Sequence, residues 1–330
     1  MTIKTFNPPK SIWLAPMEGV MDAALRALIT QCGGVDLCVT EFVRVSDACL
    51  PKRVFYRLCP ELLTGGVTPA GTPVRVQLLG QDPELLARNA VRAVALGSHG
   101  VDLNFGCPAR TVNRHRGGAV LLQEPETLHR IARTVRQAVP SGQPVSAKMR
   151  LGYQDRSLLL ENTQALVSAG IQDLVVHART KVDGYKPPAY WSDIAQVVEV
   201  AQPQGVRVIA NGDIWTPELA QRCMAQSQTS HIMLGRGLLA LPNLAAGIAF
   251  QEPPWRWTQA LAAVQDLAEQ DVQAGRIRYL PGRVKQWLRY LGERFDEAQH
   301  CFQQVKTIRD PQRMLAALAA ISLAPLDHLH

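Results

Sequence analysis

The chain has 330 residues, 47 % of them hydrophobic and 19 % charged, the composition of a globular protein with room for one large α/β domain and a smaller one. Lys and Arg number 35 against 28 Asp and Glu, and the net charge of +7 tolerates an anionic partner without demanding one. Seven cysteines with no C-x-x-C pair argue against a disulfide scaffold and a tetrahedral zinc site, so no metal is expected and a reduced, cytoplasmic setting fits best.

In chain order, MTIKTFNPPK lacks the apolar core of a secretory signal. Eight short apolar runs then alternate with helix-period segments: SIWLA (11–15), VDLCVTEF (35–42), PVRVQLL (73–79), GVDLNF (100–105), PVSAKM (144–149), DLVVHA (173–178), VRVIAN (206–211) and SHIMLG (230–235). Asp82-Pro83-Glu84 and Thr216-Pro217-Glu218 each offer a capping side chain, a proline for the first helical position and an acid for the first turn. Eight β/α alternations predict a TIM (β/α)8 barrel rather than an open doubly wound sheet. The longest mostly apolar runs, such as LLALPNLAAGIAF, are too short and interrupted to span a bilayer, so no membrane association is expected.

Strand residues two apart face the same way. That parity sets Val74, Val76 and Leu78 against Arg75 and Gln77, and Val101, Leu103 and Phe105 against Asp102 and Asn104. It likewise sets Val145, Ala147 and Met149 against Ser146, Lys148 and Arg150, and aligns His177 with Arg179. With the apolar parity packed on outer helices, the polar groups converge on the barrel axis near the strand C-termini, where barrel enzymes keep their sites.

Past residue 252 the pattern changes. EPPWRW reads as a linker, and QALAAVQDLAEQDVQAG, PGRVKQWLRYLGERFDEAQHCFQQVKTI and DPQRMLAALAAISLA read as helices of a small bundle, dividing the chain into 1–252 and 253–330. Within 275–295, Arg276, Arg278, Arg283, Lys285, Arg289 and Arg294 oppose only Glu293 and are interleaved with Tyr279, Trp287, Tyr290 and Phe295. Such a stretch is either a solvated helix face or a surface for a nucleic-acid backbone.

Two loops suit a phosphate: Asn211-Gly212-Asp213 after the seventh strand and Gly235-Arg236-Gly237 after the eighth, the loops barrels often use for that purpose. Lys148, in an otherwise apolar strand, needs an electron-rich cofactor edge or a neighbouring carboxylate. His177 fits an ordinary hydrogen-bonded barrel histidine better than a metal ligand. Cys107 stands between Gly106 and Pro108, beside the basic loop Arg110, Arg114, His115 and Arg116, and is either a small buried hydrophobe or a thiol at the mouth of a site.

LAPMEGVMD (14–22), TEFVR (40–44), VQLLGQDP (76–83), GVDLNFGCPARTVNRHRGGAVLL (100–122), KMRLGY (148–153), VVHARTK (175–181), IANGDI (209–214) and MLGRG (233–237) together resemble the tRNA-dihydrouridine synthase family across the whole barrel. The tail, with RVKQWLRYL at 283–291, is similar to the bacterial tRNA-dihydrouridine synthase C subfamily, associated with uridine 16 of the D-loop. The resemblance implies an enzyme with tightly bound FMN that reduces the uracil 5,6 double bond of a tRNA with electrons from NADPH. It implies that Pro16, Met17, Glu18, Gln77 and Lys148 contact the flavin ring, that Asn211, Gly212, Asp213, Gly235 and Arg236 hold its phosphate, and that His177 lies nearby. Cys107 matches the proton-donating cysteine, and Arg44, Asn104, Arg150, Arg283, Lys285, Tyr290 and Lys306 fall where that subfamily contacts tRNA. Phe105 before Gly106, and Asp213 where relatives often carry Glu, are local departures that keep parity and charge. No obligate protein partner is evident, and a monomer is expected. Two other classes of function share the fold: a flavin barrel oxidoreductase acting on a free small molecule such as a dihydropyrimidine, and a non-catalytic RNA-binding protein.

Overall fold

The computed structural model describes residues 7–323; residues 1–6, most of the stretch read for a secretory signal, and 324–330 lie outside the described residues. Eight parallel strands close into a barrel in sequence order: β1 (Ser11–Leu14), β2 (Leu37–Arg44), β3 (Val74–Leu79), β4 (Val101–Phe105), β5 (Val145–Gly152), β6 (Asp173–Thr180), β7 (Arg207–Asn211) and β8 (His231–Leu234). β8 closes on β1 with Ser11 opposite His231 and Leu14 opposite Leu234. The fold is the TIM barrel predicted from the β/α rhythm.

Helices α1 (Ala23–Gln31), α2 (Lys52–Leu58), α3 (Pro83–Ala95), α4 (Arg110–Arg114), α5 (Pro125–Ala138), α6 (Leu159–Ser168), α7 (Trp191–Ala201), α8 (Pro217–Ser227), α9 (Arg236–Ala240) and α10 (Leu244–Phe250) accompany the strands. The capping signals act as predicted. Asp82 accepts the Leu85 N–H ahead of α3 at 2.8 Å, and Thr216 accepts the Leu219 N–H ahead of α8 at 3.2 Å. Among the described residues no helix is long and apolar enough to cross a membrane.

Strand parity sorts the side chains into two cores. Outward residues such as Leu14, Val76, Leu103, Phe105 and Met149 join the helices in the main core. Inside the barrel, Trp13, Ala15, Leu37, Val39, Val175, Ile209 and Met233 form a separate apolar cluster. It divides the interior polar groups into two sets, which corrects one expectation. Arg75, the second residue of β3, does not reach the mouth; it lies at the strands' N-terminal end, 2.9 Å from Asp173, which also holds Arg207. Its guanidinium rests over the Trp13 ring at 5.0 Å. β2 contains a second departure: its register against β3 slips between Val39 and Phe42, so Val39 faces Arg75 and Phe42 faces Gln77. One extra residue reverses parity, which turns Phe42 to the mouth.

After residues 251–256, α11 (Trp257–Gln273), α12 (Leu280–Leu291), α13 (Asp296–Val305) and α14 (Pro311–Leu323) pack together. The middle tail segment is two helices rather than one run, broken by the turn in which Phe295 N–H returns to Leu291 O at 2.9 Å. That turn puts Phe295 against Trp257, ring centroids 5.9 Å apart. Trp287 and Phe295 are therefore core residues, 2 % and 8 % exposed, and present no face to solvent or to a nucleic-acid backbone. Trp287 Nε1–H donates to Leu239 O at 3.1 Å and fastens α12 to the barrel.

Candidate active site

A cavity of about 600 Å³ opens at the C-terminal ends of the strands. That is the size of a cofactor site. All eleven residues expected to hold a cofactor line it, together with Cys107, Asn104, Arg150 and Tyr290. The strand–loop junctions explain the convergence. The polar parity delivers Gln77 from β3, Asn104 from β4, Lys148 and Arg150 from β5, His177 from β6 and Asn211 from β7, and loops add Pro16–Glu18 and Gly235–Arg236.

Behind the wall, Gln77 Nε2 donates to Asp102 at 2.7 Å, and Asn104 Nδ2 donates to Gln77 Oε1 at 2.7 Å. Asn104 Oδ1 accepts the N–H groups of Gly106 and Cys107 at 3.0 and 2.9 Å, so its amide is engaged with the thiol-bearing turn. Cys107 is half-buried. Burial pushes its thiol above the ordinary range, while the Ala109 N–H pulls the other way. A thiol so placed is protonated at neutral pH.

Lys148 lies beside Asn211, Nζ donating to Oδ1 at 3.2 Å. Burial, reinforced by Arg150, brings its ammonium down to about 8. His177 is held well below the usual imidazole range, first by burial and then by Arg150, Lys148, Arg179 and Arg236. It is a neutral ring, one nitrogen donating and the other accepting. Arg150 is 2 % exposed, its Nη1 donating to Thr180 O at 3.0 Å and Gly184 O at 2.9 Å and its Nε to Gly106 O at 2.8 Å.

The far end is a backbone cradle. Gly212 has φ +126° and Asp213 φ +49°, which turns the chain sharply after β7. A Cβ on Gly212 would come within 3.0 Å of the His177 ring, so the position admits only glycine. Asp213 is shared by two guanidinium groups, paired with Arg179 and, at 3.0 Å, with Arg236. Arg236 in turn lies over Tyr185 and Trp215 at 5.0 and 5.2 Å.

Site positions that the motif reading left without a role also emerge. Glu41 accepts the Gly19 N–H and pins the loop that carries residues 16–18; burial raises its carboxyl above the usual range. Arg179 is fully buried, its Nε donating to Lys186 O at 2.7 Å while it holds Asp213. The parity that aligned it with His177 was the available signal. Tyr185 and Trp215 sit in loops, where no periodicity marks them.

The expected tRNA-facing residues divide. Asn104, Arg150 and Tyr290 line the cavity. Arg44 is exposed and lines a neighbouring hollow of about 410 Å³ with Arg114, His115 and Arg116. Arg283 is turned inward, 2.5 Å from Asp22 and 3.1 Å from the buried Asp271. Lys285 Nζ donates to Ile308 O at 2.9 Å and Lys306 Nζ to Gln303 at 2.5 Å, both away from the cavity. Gln286 Nε2 reaches Gly19 O at 3.1 Å, so α12 grips the loop that forms one wall of the site.

The sequence profile of the Dihydrouridine synthase (Dus) family matches residues 13–324. The tRNA-dihydrouridine(16) synthase of Shewanella oneidensis is 50 % identical over 305 residues, 92 % of this chain and 96 % of its own length. The protein of that name from Aquipseudomonas alcaligenes is 49 % identical over 313 residues, 93 % of this chain and 98 % of its own. That from Escherichia coli strain K12 is 46 % identical over 315 residues, covering 96 % and 99 %. With the profile matched over barrel and tail alike, and relatives this similar over nine-tenths of their length, the chain belongs to the dihydrouridine synthase family.

Proposed function

We propose that this protein is an FMN-dependent tRNA-dihydrouridine synthase that uses NADPH to reduce a D-loop uridine, at position 16, and that residues 1–252 hold the flavin while the tail from 253 receives the tRNA. One observation carries the reading: a protonated thiol, Cys107, stands at the rim of a cavity with a cationic edge at Lys148 and a glycine cradle with Arg236. The donor set fits FMN. Lys148 has three N–H donors and one protein acceptor within reach, so its buried ammonium suits an acceptor-rich ring edge, and Gln77 stands beside it. Gly212, Asp213, Gly235 and Arg236 suit a phosphate, with Asp213 holding the guanidinium ready in the absence of an anion. Pro16, Met17 and Glu18 supply the wall against which a flat ring packs, and His177, neutral, adds no charge.

Bound flavin, reduced by NADPH, supplies the hydride that uracil C6 receives. Negative charge then develops over C5 and O4, and Cys107 Sγ–H gives its proton to C5. Arg150 is too deeply held to follow a moving substrate, and it keeps the Gly106 carbonyl, and so the turn, in place. Single-stranded loops are where a base is most easily splayed into such a pocket. Arg44, Tyr290, Lys285 and Lys306 form the tRNA-facing set, Asn104 and Arg150 shape the wall that the uridine meets, and Arg283, outside the cavity, meets the tRNA from its place beside Asp22.

The test is substrate competition. Holoenzyme reduced with NADPH is offered tRNA or free uridine, and dihydrouridine is expected from tRNA alone. Comparable turnover of free uridine assigns the protein to small-molecule oxidoreductases, and purified protein that cannot take up FMN assigns it to RNA-binding proteins without catalysis. Mapping dihydrouridine in tRNA from cells lacking the gene tests position 16.

A further inference from the structure

We propose that Asp102 is a positioning residue that sets the amide orientations of Gln77 and Asn104 and, through them, the turn carrying the Cys107 thiol. The argument starts at the backbone. The N–H groups of Gly106 and Cys107 can only donate, and both point at Asn104 Oδ1, at 3.0 and 2.9 Å. The Asn104 nitrogen must then face inward, where it meets Gln77 Oε1 at 2.7 Å. That in turn commits the Gln77 nitrogen to the opposite side, 2.7 Å from Asp102 Oδ2. An amide has one accepting and one donating end, so each orientation dictates the next.

Asp102 is fully buried and ends the chain. Its other oxygen lies 2.5 Å from Ser146 Oγ, which is 3.3 Å from Val101 O. As a carboxylate, Asp102 accepts from both Gln77 and Ser146. As a carboxylic acid protonated on Oδ1, it donates to Ser146, whose own hydrogen passes to Val101 O. Oδ2 accepts from Gln77 in both states, so the direction of the relay survives either. A side chain at 102 with no acceptor leaves a buried Gln77 N–H without a partner. The relay then loses its fixed end, and the turn loses the oxygen that holds it.

The roles of Gln77 and Cys107 in catalysis rest on the proposed function, but the relay itself is a property of the chain, and the experiment separates the two. Asp102→Asn keeps shape and an acceptor: Oδ1 faces Gln77 and Nδ2 donates to Ser146, whose hydroxyl then serves Val101 O. Asp102→Leu keeps the volume and removes the acceptor. Site-resolved alkylation of Cys107 by iodoacetamide is followed by mass spectrometry on the full-length proteins as purified. An orphaned buried amide shifts such an opening equilibrium by at least about fivefold, so Cys107 in Asp102→Leu is expected to react about fivefold faster or more, with Asp102→Asn close to wild type. Gln77→Leu, which cuts the same chain with Asp102 intact, is expected to match Asp102→Leu and decides the matter if that variant does not fold. Alkylation unchanged in Asp102→Leu and Gln77→Leu overturns the relay, as does Asp102→Asn reacting as fast as the leucine variant. In turnover, kcat with tRNA falls in Asp102→Leu and is restored in Asp102→Asn, with the tRNA KM unmoved. Faster alkylation with kcat intact upholds the relay and counts against Cys107 as the proton donor.

Discussion

Replacing Cys107 with alanine removes the one titratable group that the turn after β4 offers to the cavity. An ordinary thiol is only about 3 % ionised at pH 7, and burial lowers that share here, so the wild-type donor is almost fully loaded. Without it, C5 of uracil must be protonated from solvent, which forfeits roughly 10²–10⁴ in rate. At 1.36 kcal/mol per decade, the barrier rises by about 3–5 kcal/mol. The assay is a single turnover. Holoenzyme pre-reduced with NADPH is mixed with tRNA, and both flavin reoxidation and dihydrouridine are followed. Reduction by NADPH should be unchanged in Cys107→Ala, because in the proposed reaction the thiol acts only after the hydride has moved. The wild-type rate of the tRNA step should be level through neutral pH and fall only above the ordinary thiol range, since the donor's protonated form is lost as pH rises through a raised value. Wild-type dihydrouridine formation in Cys107→Ala would refute the assignment, and so would a fall in rate beginning below pH 7.

Lys148 titrates at about 8, so FMN binding to flavin-free protein should be level below that pH and weaken by up to about tenfold per pH unit above it, as binding takes up a proton. Titration by flavin fluorescence should show the slope abolished in Lys148→Met. Asp22→Asn keeps the cap of α1, since asparagine caps as well as aspartate, but removes the charge facing Arg283. For this partly exposed pair the expected loss in FMN affinity is about two- to fivefold, and at least as large in Arg283→Gln, which also takes a partner from the buried Asp271; an unchanged affinity in both would make Arg283 a tRNA contact only. Glu61→Gln strands the buried Arg26, whose Nε and Nη2 donate to the two carboxylate oxygens at 2.8 and 2.9 Å. Losing one partner of such a pair costs about 3–5 kcal/mol, which calorimetry of the holoenzyme should register as a melting temperature lower by about 5 °C.

The barrel was legible because its signals are local and repeat. Each strand is a short apolar run with period two, and the same period separates Gln77, Asn104, Lys148 and His177 from the residues that pack on helices. Position along the strand decided how far this reached. Lys148 and His177 lie late enough in β5 and β6 to meet at the mouth, whereas Arg75 has the right parity but stands at the start of β3 and is consumed by Asp173 at the other end. The slip in β2 is invisible in the sequence, because it is a property of the pairing with β3 and not of either strand alone. Cys107 illustrates the same limit. Its position after a strand was clear from Gly106 and Pro108, but the relay that holds it depends on side chains contributed by three strands, and no single segment contains it.

The basic tail shows why charge counted along a chain differs from charge available to a ligand. Of the six cations between 275 and 295, Arg276 and Arg283 are drawn to Asp271, and Arg283 also to Asp22, 261 residues away in sequence. Arg289 lies 4.7 Å from the centre of the Phe302 ring. The lopsided stretch is thus partly a set of internal fasteners, and their geometry ties the tail to the site. Arg283 holds Asp22, Gln286 holds Gly19 O, and Tyr290 lines the cavity, all from one helix, α12. Glu41 holds Gly19 from the opposite side. The loop carrying Pro16, Met17 and Glu18 is therefore clamped between β2 and the tail, and the wall of the proposed flavin site is built from both parts of the chain. A force that moved α12, as docking of a large polyanion on the tail would, is delivered to that loop through two hydrogen-bonded contacts rather than through a flexible linker. Fold and site cannot be separated at residue 252 without loosening the wall of the cavity.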